Sequence, residues 1–272
     1  MHPLLTIAIQ AARRAGEVIV RAIPRLDSIA VSSKGRNDFV SEVDQAAERE
    51  IIAIIRKHYP DHAFLAEESG ASGESETVWI IDPLDGTTNF LHGFPVFSVS
   101  IACQINGRLE VAVIYDPLRL ELFTATRGVG AQLENRKIRV TKQRTLEGSL
   151  IATGLPFRGD AKQTDAYLQM LKVVMGRAAG IRRAGSAALD LAYVAAGRVD
   201  GFWEMGLKPW DTAAGQLLIQ EAGGHIGTLS GDDYAMGGDI VAGTPRVYVE
   251  LLAAIAPHVP GAVRRVKSKS KA

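Results

Sequence analysis

The chain has 272 residues, 47% of them hydrophobic, enough for a substantial core in one large domain or two intimate halves. Its one cysteine, Cys103, sits in an apolar run, which excludes an internal disulfide and argues for an inert buried thiol rather than redox chemistry. No apolar run approaches the roughly 20 residues that span a bilayer and no leader pattern opens the chain, so a cytoplasmic, non-membrane protein is expected.

Leu4, Ala8, Ala11, Ala15, Ile19 and Ala22 recur at helical spacing, predicting an amphipathic helix that stops before Pro24. A short strand over 28–33 and a charged loop at Lys34-Gly35-Arg36-Asn37 follow. Ala47, Ile51, Ile54 and Ile55 then mark a second helix, with Asp44 in its first turn, where an acid meets the helix dipole favourably. A strand at 63–66 delivers Glu67 and Glu68 at its exit; neighbouring side chains of an extended chain point opposite ways, so only one need face inward. Residues 70–77 read as an exposed, mobile loop.

Val78–Ile81 reads as a buried strand cut off by Pro83. Asp82 stands at its end and Asp85 three residues on, between a backbone-restricting proline and the freer Gly86, so the two carboxylates can converge. Paired acids at a strand exit suit a hard divalent cation. The following Gly86, Thr87 and Thr88 offer backbone N–H groups for a phosphate. Asp-Pro and Asp-Gly pairs taken singly only mark turns.

Further on, apolar runs at 96–105 and 108–115 flank Asn106-Gly107, a strong hairpin signal. The pattern continues at 120–126 and 130–140, giving two helices backed on a largely antiparallel sheet. From Ser149 onward strands alternate with helices at 168–174, 189–195 and 217–222, a βαβ-like arrangement. The expected organisation is an N-terminal half 1–145, a C-terminal half 146–262 forming one compact unit with it, and a tail 263–272. That tail carries Arg264, Arg265, Lys267, Lys269 and Lys271, leaves the body mildly acidic, and is expected to be disordered.

The stretch Trp79-Ile80-Ile81-Asp82-Pro83-Leu84-Asp85-Gly86-Thr87-Thr88-Asn89-Phe90 resembles the signature of the inositol monophosphatase family, the Mg²⁺-dependent, lithium-sensitive sugar phosphatases. Trp210-Asp211-Thr212-Ala213-Ala214-Gly215 is similar to its second signature, and the resemblance covers nearly everything except the tail. It implies an α+β or α/β fold layered as an αβαβα sandwich, and commonly a homodimer.

Residue by residue, the resemblance implies metal ligation by Glu67, Asp82, the Leu84 carbonyl, Asp85 and Asp211, with two or three Mg²⁺ ions per site and Mn²⁺ as an alternative. Ala66 stands where relatives often have glycine. Gly86 and Thr87 would hold the phosphate; Thr87, tied to Asp44, would orient the attacking water, with Glu67 as the candidate base. Asp85, Gly185, Ser186, Ala187, Glu204 and Asp211 would contact the substrate, and Lys34 would lie near the site. Without the resemblance, Asp211 reads as a helix N-cap and Glu204 as an edge-strand charge.

The expected function is hydrolysis of a myo-inositol monophosphate. The alternatives are the same chemistry on fructose 1,6-bisphosphate, histidinol phosphate, a bisphosphonucleotide or NADP⁺, or a regulatory protein that binds RNA or a transcription partner through Arg182, Arg183 or the basic tail, with secondary phosphatase activity.

Overall fold

The computed structural model describes residues 2–35, 38–156 and 161–259. The side chain of Lys34, Arg36, Asn37 and the basic tail lie outside the described residues, and with them the roles expected of Lys34 and the tail.

Helix α1 (Pro3–Ala22) starts with proline at a position that needs no N–H, and His2 Nδ1 accepts the Leu4 amide at 3.3 Å. After β1 (Val31–Gly35) and β2 (Asp38–Ser41), α2 (Glu42–His58) is opened by Ser41, whose Oγ accepts the Val43 N–H at 3.2 Å. The predicted strand at 28–33 is thus displaced, because residues 23–28 form a 3₁₀ turn behind Pro24.

Eight strands form the first sheet: β3 (Ala63–Ala66), β4 (Gly70–Ser72), β5 (Thr77–Asp85), β6 (Ser98–Ile105), β7 (Arg108–Asp116), β8 (Glu121–Thr126), β9 (Gly130–Leu133) and β10 (Arg136–Lys137), with helix α3 (Thr87–Leu91) after β5. Their order is β10-β9-β8-β7-β6-β5-β3-β4, antiparallel throughout except where β3 lies parallel to β5. The β6–β7 turn places Asn106 (φ 50°) and Gly107 (φ 76°) in the left-handed region that an Asn-Gly hairpin requires.

Two expectations are corrected here. Gly70–Ser72, expected as part of an exposed loop, pair with β3 as a short edge strand. Strand β5 does not end before Pro83 but runs to Asp85, because its register with β6 shifts between Asp82 and Asp85 and the ladder needs no N–H from the proline there.

The second sheet holds β11 (Leu150–Thr153), β12 (Gly180–Arg182), β13 (Gly201–Leu207), β14 (His225–Gly227) and β15 (Gly238–Gly243). Helices α4 (Ala161–Met175), α5 (Ala187–Ala195), α6 (Pro209–Glu221) and α7 (Pro245–Ile255) alternate with them. The order is β12-β11-β13-β15-β14, and only β11 with its two neighbours is parallel. The βαβ expectation therefore fails for β14 and β15, which are joined without a helix and pair antiparallel.

Helices α1 and α2 cover one face of the first sheet, burying Ile51, Ile55, Trp79 and Ile101 together. Helices α5 and α6 fill the space between the sheets, with Ile80 and Phe123 on one side of Leu191 and Leu217, and Phe202 and Ile240 on the other. Helices α4 and α7 close the outside, where Tyr167 and Leu251 meet Trp203. The result is the αβαβα layering. At about 1.5–3 kcal/mol per fully buried large apolar side chain, these layers can carry a cluster of mutually repelling acids between them.

Candidate active site

The bulged end of β5 and the N-termini of α3, α5 and α6 meet at one cleft, so helix-start N–H groups and dipole ends face an acidic strand exit. The cleft encloses about 790 Å³. Glu67, Asp82, Leu84, Asp85, Gly86, Thr87, Gly185, Ser186, Ala187, Glu204 and Asp211 all line it; of the site residues expected from sequence, Asp44 alone stands behind the wall.

Asp82 is 2% exposed and its Oδ1 accepts the Leu84 N–H at 3.0 Å. Burial, then the charges of Glu67, Asp85 and Asp211, hold its carboxyl well above the usual range. Glu67 also shares a hydrogen bond with it. Asp85 is raised to about 6 by burial, opposed by donors from the second half of the chain: Ser186 Oγ at 2.5 Å and the Ala188 N–H at 2.8 Å.

Asp211 was expected at a helix N-cap. Pro209 starts α6 two residues earlier, so Asp211 sits in the first turn and its Oδ2 accepts the Lys208 N–H at 2.6 Å. One carboxylate oxygen from each of Asp82, Asp85 and Asp211 lies within 4.8 Å of the others. Acids at this spacing, with Asp82 buried and the other two partly so, repel unless protons or a cation lie between them. An all-oxygen set without histidine or cysteine fits Mg²⁺ or Mn²⁺ better than zinc.

Gly86 has φ 96°, and a Cβ there would lie 2.9 Å from the Val96 carbonyl, so the loop closes only around glycine. Thr87 Oγ1 is 2.7 Å from Asp44 Oδ1 and 3.0 Å from the Leu84 carbonyl. Asp44 is fully buried, accepts the Ser41 N–H at 2.9 Å and binds the Ser41 hydroxyl as part of the cap of α2. Burial raises its carboxyl, and the hydrogen bonds from Ser41 and Thr87 pull it back down.

Three residues of the site, Glu48, Asn89 and Asp190, were given no role in the sequence reading. Glu48 of α2, 3% exposed, accepts the Glu68 and Ser69 N–H groups at 2.8 and 2.9 Å and so fixes the turn that carries Glu67. Asn89 Nδ2 donates to the Val96 and Ala184 carbonyls at 2.7 and 2.9 Å, tying the signature loop to the Gly185 segment. Asp190 of α5 and Arg183 also line the cleft. Asn89 lay inside the signature, and Asp190 is the one acid in the apolar run 187–195, which was the signal available for it. Arg183 is one of the expected partner contacts and also falls in the 182–188 segment that the sequence reading connects with inositol phosphate; Arg182 beside it is exposed.

The chain is 54% identical over 271 residues to Nus factor SuhB of Pseudomonas aeruginosa, covering 97% of this chain and 100% of that protein. Its structure resembles that of extragenic suppressor protein SuhB from Bartonella henselae, with a TM-score of 0.90 and 45% identity over 93% of this chain and 98% of that one. An inositol monophosphatase from Anabaena superposes with a TM-score of 0.83 at 39% identity, covering 94% and 96%. Residues 1–260 match the inositol monophosphatase family as a whole, and with the whole cleft inside that span, the chain belongs to the inositol monophosphatase family.

Proposed function

We propose that the chain is a Mg²⁺-dependent phosphomonoester hydrolase whose substrate is a myo-inositol monophosphate. The observation that carries the reading is the convergence of Asp82, Asp85 and Asp211 within 4.8 Å, beside the helix-start amides of Gly86 and Thr87. Glu67, Asp82, the Leu84 carbonyl, Asp85 and Asp211 would hold the ions. Bound Mg²⁺ supplies charge neutralisation of the acids and electrostatic stabilisation of the phosphoryl group in an in-line displacement.

The chain's own residues do the rest. The Gly86 and Thr87 N–H groups grip phosphate oxygens. Asp44 accepts the Thr87 hydroxyl proton at 2.7 Å, leaving a lone pair of Thr87 Oγ1 to orient the attacking water. Glu67 accepts the proton that this water gives up. Glu204 and the Gly185–Ala187 segment contact the polyol, where small residues leave room for a ring. Cytoplasmic location, a homodimer and inhibition by lithium are part of the same reading.

The test is phosphate release by the purified protein, with and without Mg²⁺, from inositol 1-phosphate, fructose 1,6-bisphosphate, histidinol phosphate, a 3′,5′-bisphosphonucleotide and NADP⁺. The highest kcat/KM is expected for inositol 1-phosphate, abolished by chelator. A higher value for another member of the panel would replace the substrate; no release from any would sink the reading.

The name Nus factor carried by a relative 54% identical favours a second reading, in which the chain also binds an RNA or a transcription protein. Arg182, Arg183 and the basic tail are its candidate contacts. Binding retained by an Asp82→Asn protein would separate this role from hydrolysis.

A further inference from the structure

Asp190 lies where packing alone asks for an apolar side chain. Its helix, α5, is buried around its whole girth, from Ala187 and Leu189 to Leu191 and Val194. Asp190 is 3% exposed, and among the described residues no donor reaches its carboxylate, while its backbone N–H donates to the Ser186 carbonyl at 3.0 Å. Its carboxylate oxygens are not sealed from solvent but open onto the cleft that it lines. The other acids of the cleft for which bonds were given above each accept at least one.

Glu204 shares this condition. Among the described residues it too accepts no hydrogen bond, although it lines the cleft beside Asp190. Its carboxyl fills the space left by Gly154, where a Cβ would fall 1.9 Å from Glu204 Cδ. Burial, then the charges of Asp190, Asp211 and Asp85, push its carboxyl well above the usual range, and Arg183 opposes them.

We propose that Asp190 is a specificity-determining residue which, paired with Glu204, accepts hydrogen bonds from two hydroxyl groups on the alcohol portion of the substrate. The proposal rests on the phosphatase reading above and names a second side chain, beyond Glu204, that reads the hydroxyl groups of that substrate. Two adjacent carboxylates repel a second phosphate, and an apolar alcohol leaves both without donors. Arg183 already places positive charge at this end of the cleft, which leaves neutral hydroxyl donors as the complement.

The experiment compares wild type, Asp190→Ala and Asp190→Asn, each with Mg²⁺, on inositol 1-phosphate and on 4-nitrophenyl phosphate, which has no hydroxyl for this pair. The ratio of kcat/KM between the two should fall about tenfold in Asp190→Ala, mainly through KM for the inositol ester, as expected for loss of a hydrogen bond to a charged group. An equal proportional loss on both substrates, or no change in the ratio, overturns the proposal. Where the variants fail to fold, the wild type decides: one of the singly deoxygenated inositol 1-phosphates should lose about tenfold relative to the parent for each acid engaged. Two such hydroxyls are expected; one or none overturns the pairing. A wild type active on the aryl ester but on no polyol phosphate would instead remove the substrate reading itself, and the inference with it.

Discussion

The two acidic regions of the cleft are built in opposite ways. Around the strand exit Asp85 is braced by Ser186 and Ala188, Asp82 by Leu84, Asp211 by Lys208 and, behind the wall, Asp44 by Ser41 and Thr87. A few residues away, Asp190 and Glu204 have no such donors among the described residues. Braced carboxylates are held in one geometry before a ligand arrives, which suits a cation that demands fixed oxygen positions. Unbraced ones keep their acceptor capacity for a ligand that brings its own donors. Under the proposed function, the difference would separate a region shaped for charge from one shaped for hydroxyls.

The comparison breaks most visibly at Asp82. Asp82→Asn should lower turnover of inositol 1-phosphate by about 10³-fold or more, since the metal stabilises most of the developing charge. Measured without metal, the same variant should melt at or above the wild-type temperature, because repulsion among three clustered acids is relieved. Near-normal phosphate release would remove Asp82 from the metal site.

A smaller loss is expected at the braced hydroxyl. Thr87→Ala should reduce kcat by about 10²-fold with little change in KM, since aligning the water matters chiefly at the transition state. Asp44→Ala should then add little in the Thr87→Ala background. Independent, multiplying losses would show that the 2.7 Å contact does not couple the pair.

Glu48 tests whether bracing from outside the cleft matters. Glu48→Gln replaces an acceptor of two amides by a side chain that repels one of them. Titration calorimetry should show Mg²⁺ or Mn²⁺ bound about tenfold more weakly, the effect usual for groups that orient a ligand. Unchanged affinity would mean that the Glu67 turn holds itself.

The smallest effect has the most telling sign. Without metal, Asp44→Asn should destabilise by about 1 kcal/mol through loss of the α2 cap, whereas Asp190→Asn should stabilise by a similar amount through loss of an unpartnered buried charge. At roughly 2–4 °C per kcal/mol the two melting shifts should be measurable and opposite. Shifts of the same sign would erase the distinction between the two regions.

Much of this was legible in the chain itself. The stripe through Leu4, Ala8, Ala15 and Ile19 marked α1, Asn106-Gly107 marked the β6–β7 hairpin, and the signature stretch marked the acidic loop, because each is a local pattern whose period or turn chemistry allows few conformations. Strands β14 and β15 and helix α7 went unread, their partners being distant in sequence. Asp190 was passed over for the opposite reason: the helical period around it was so regular that the one acid in it was absorbed into the pattern.

The sequence by itself determined which residue types were available, where helices began, and that Asp82 and Asp85 leave a strand together, since these follow from neighbours a few residues apart. Only the tertiary structure decided that Asp211 reaches the same cluster, that Glu48 clamps the turn after Glu67, that β5 bulges past Pro83, and that Asp190 and Glu204 face one cavity without donors. Those outcomes depend on which helix starts the two packed sheets bring together, and no pattern confined to a short stretch of chain encodes that meeting.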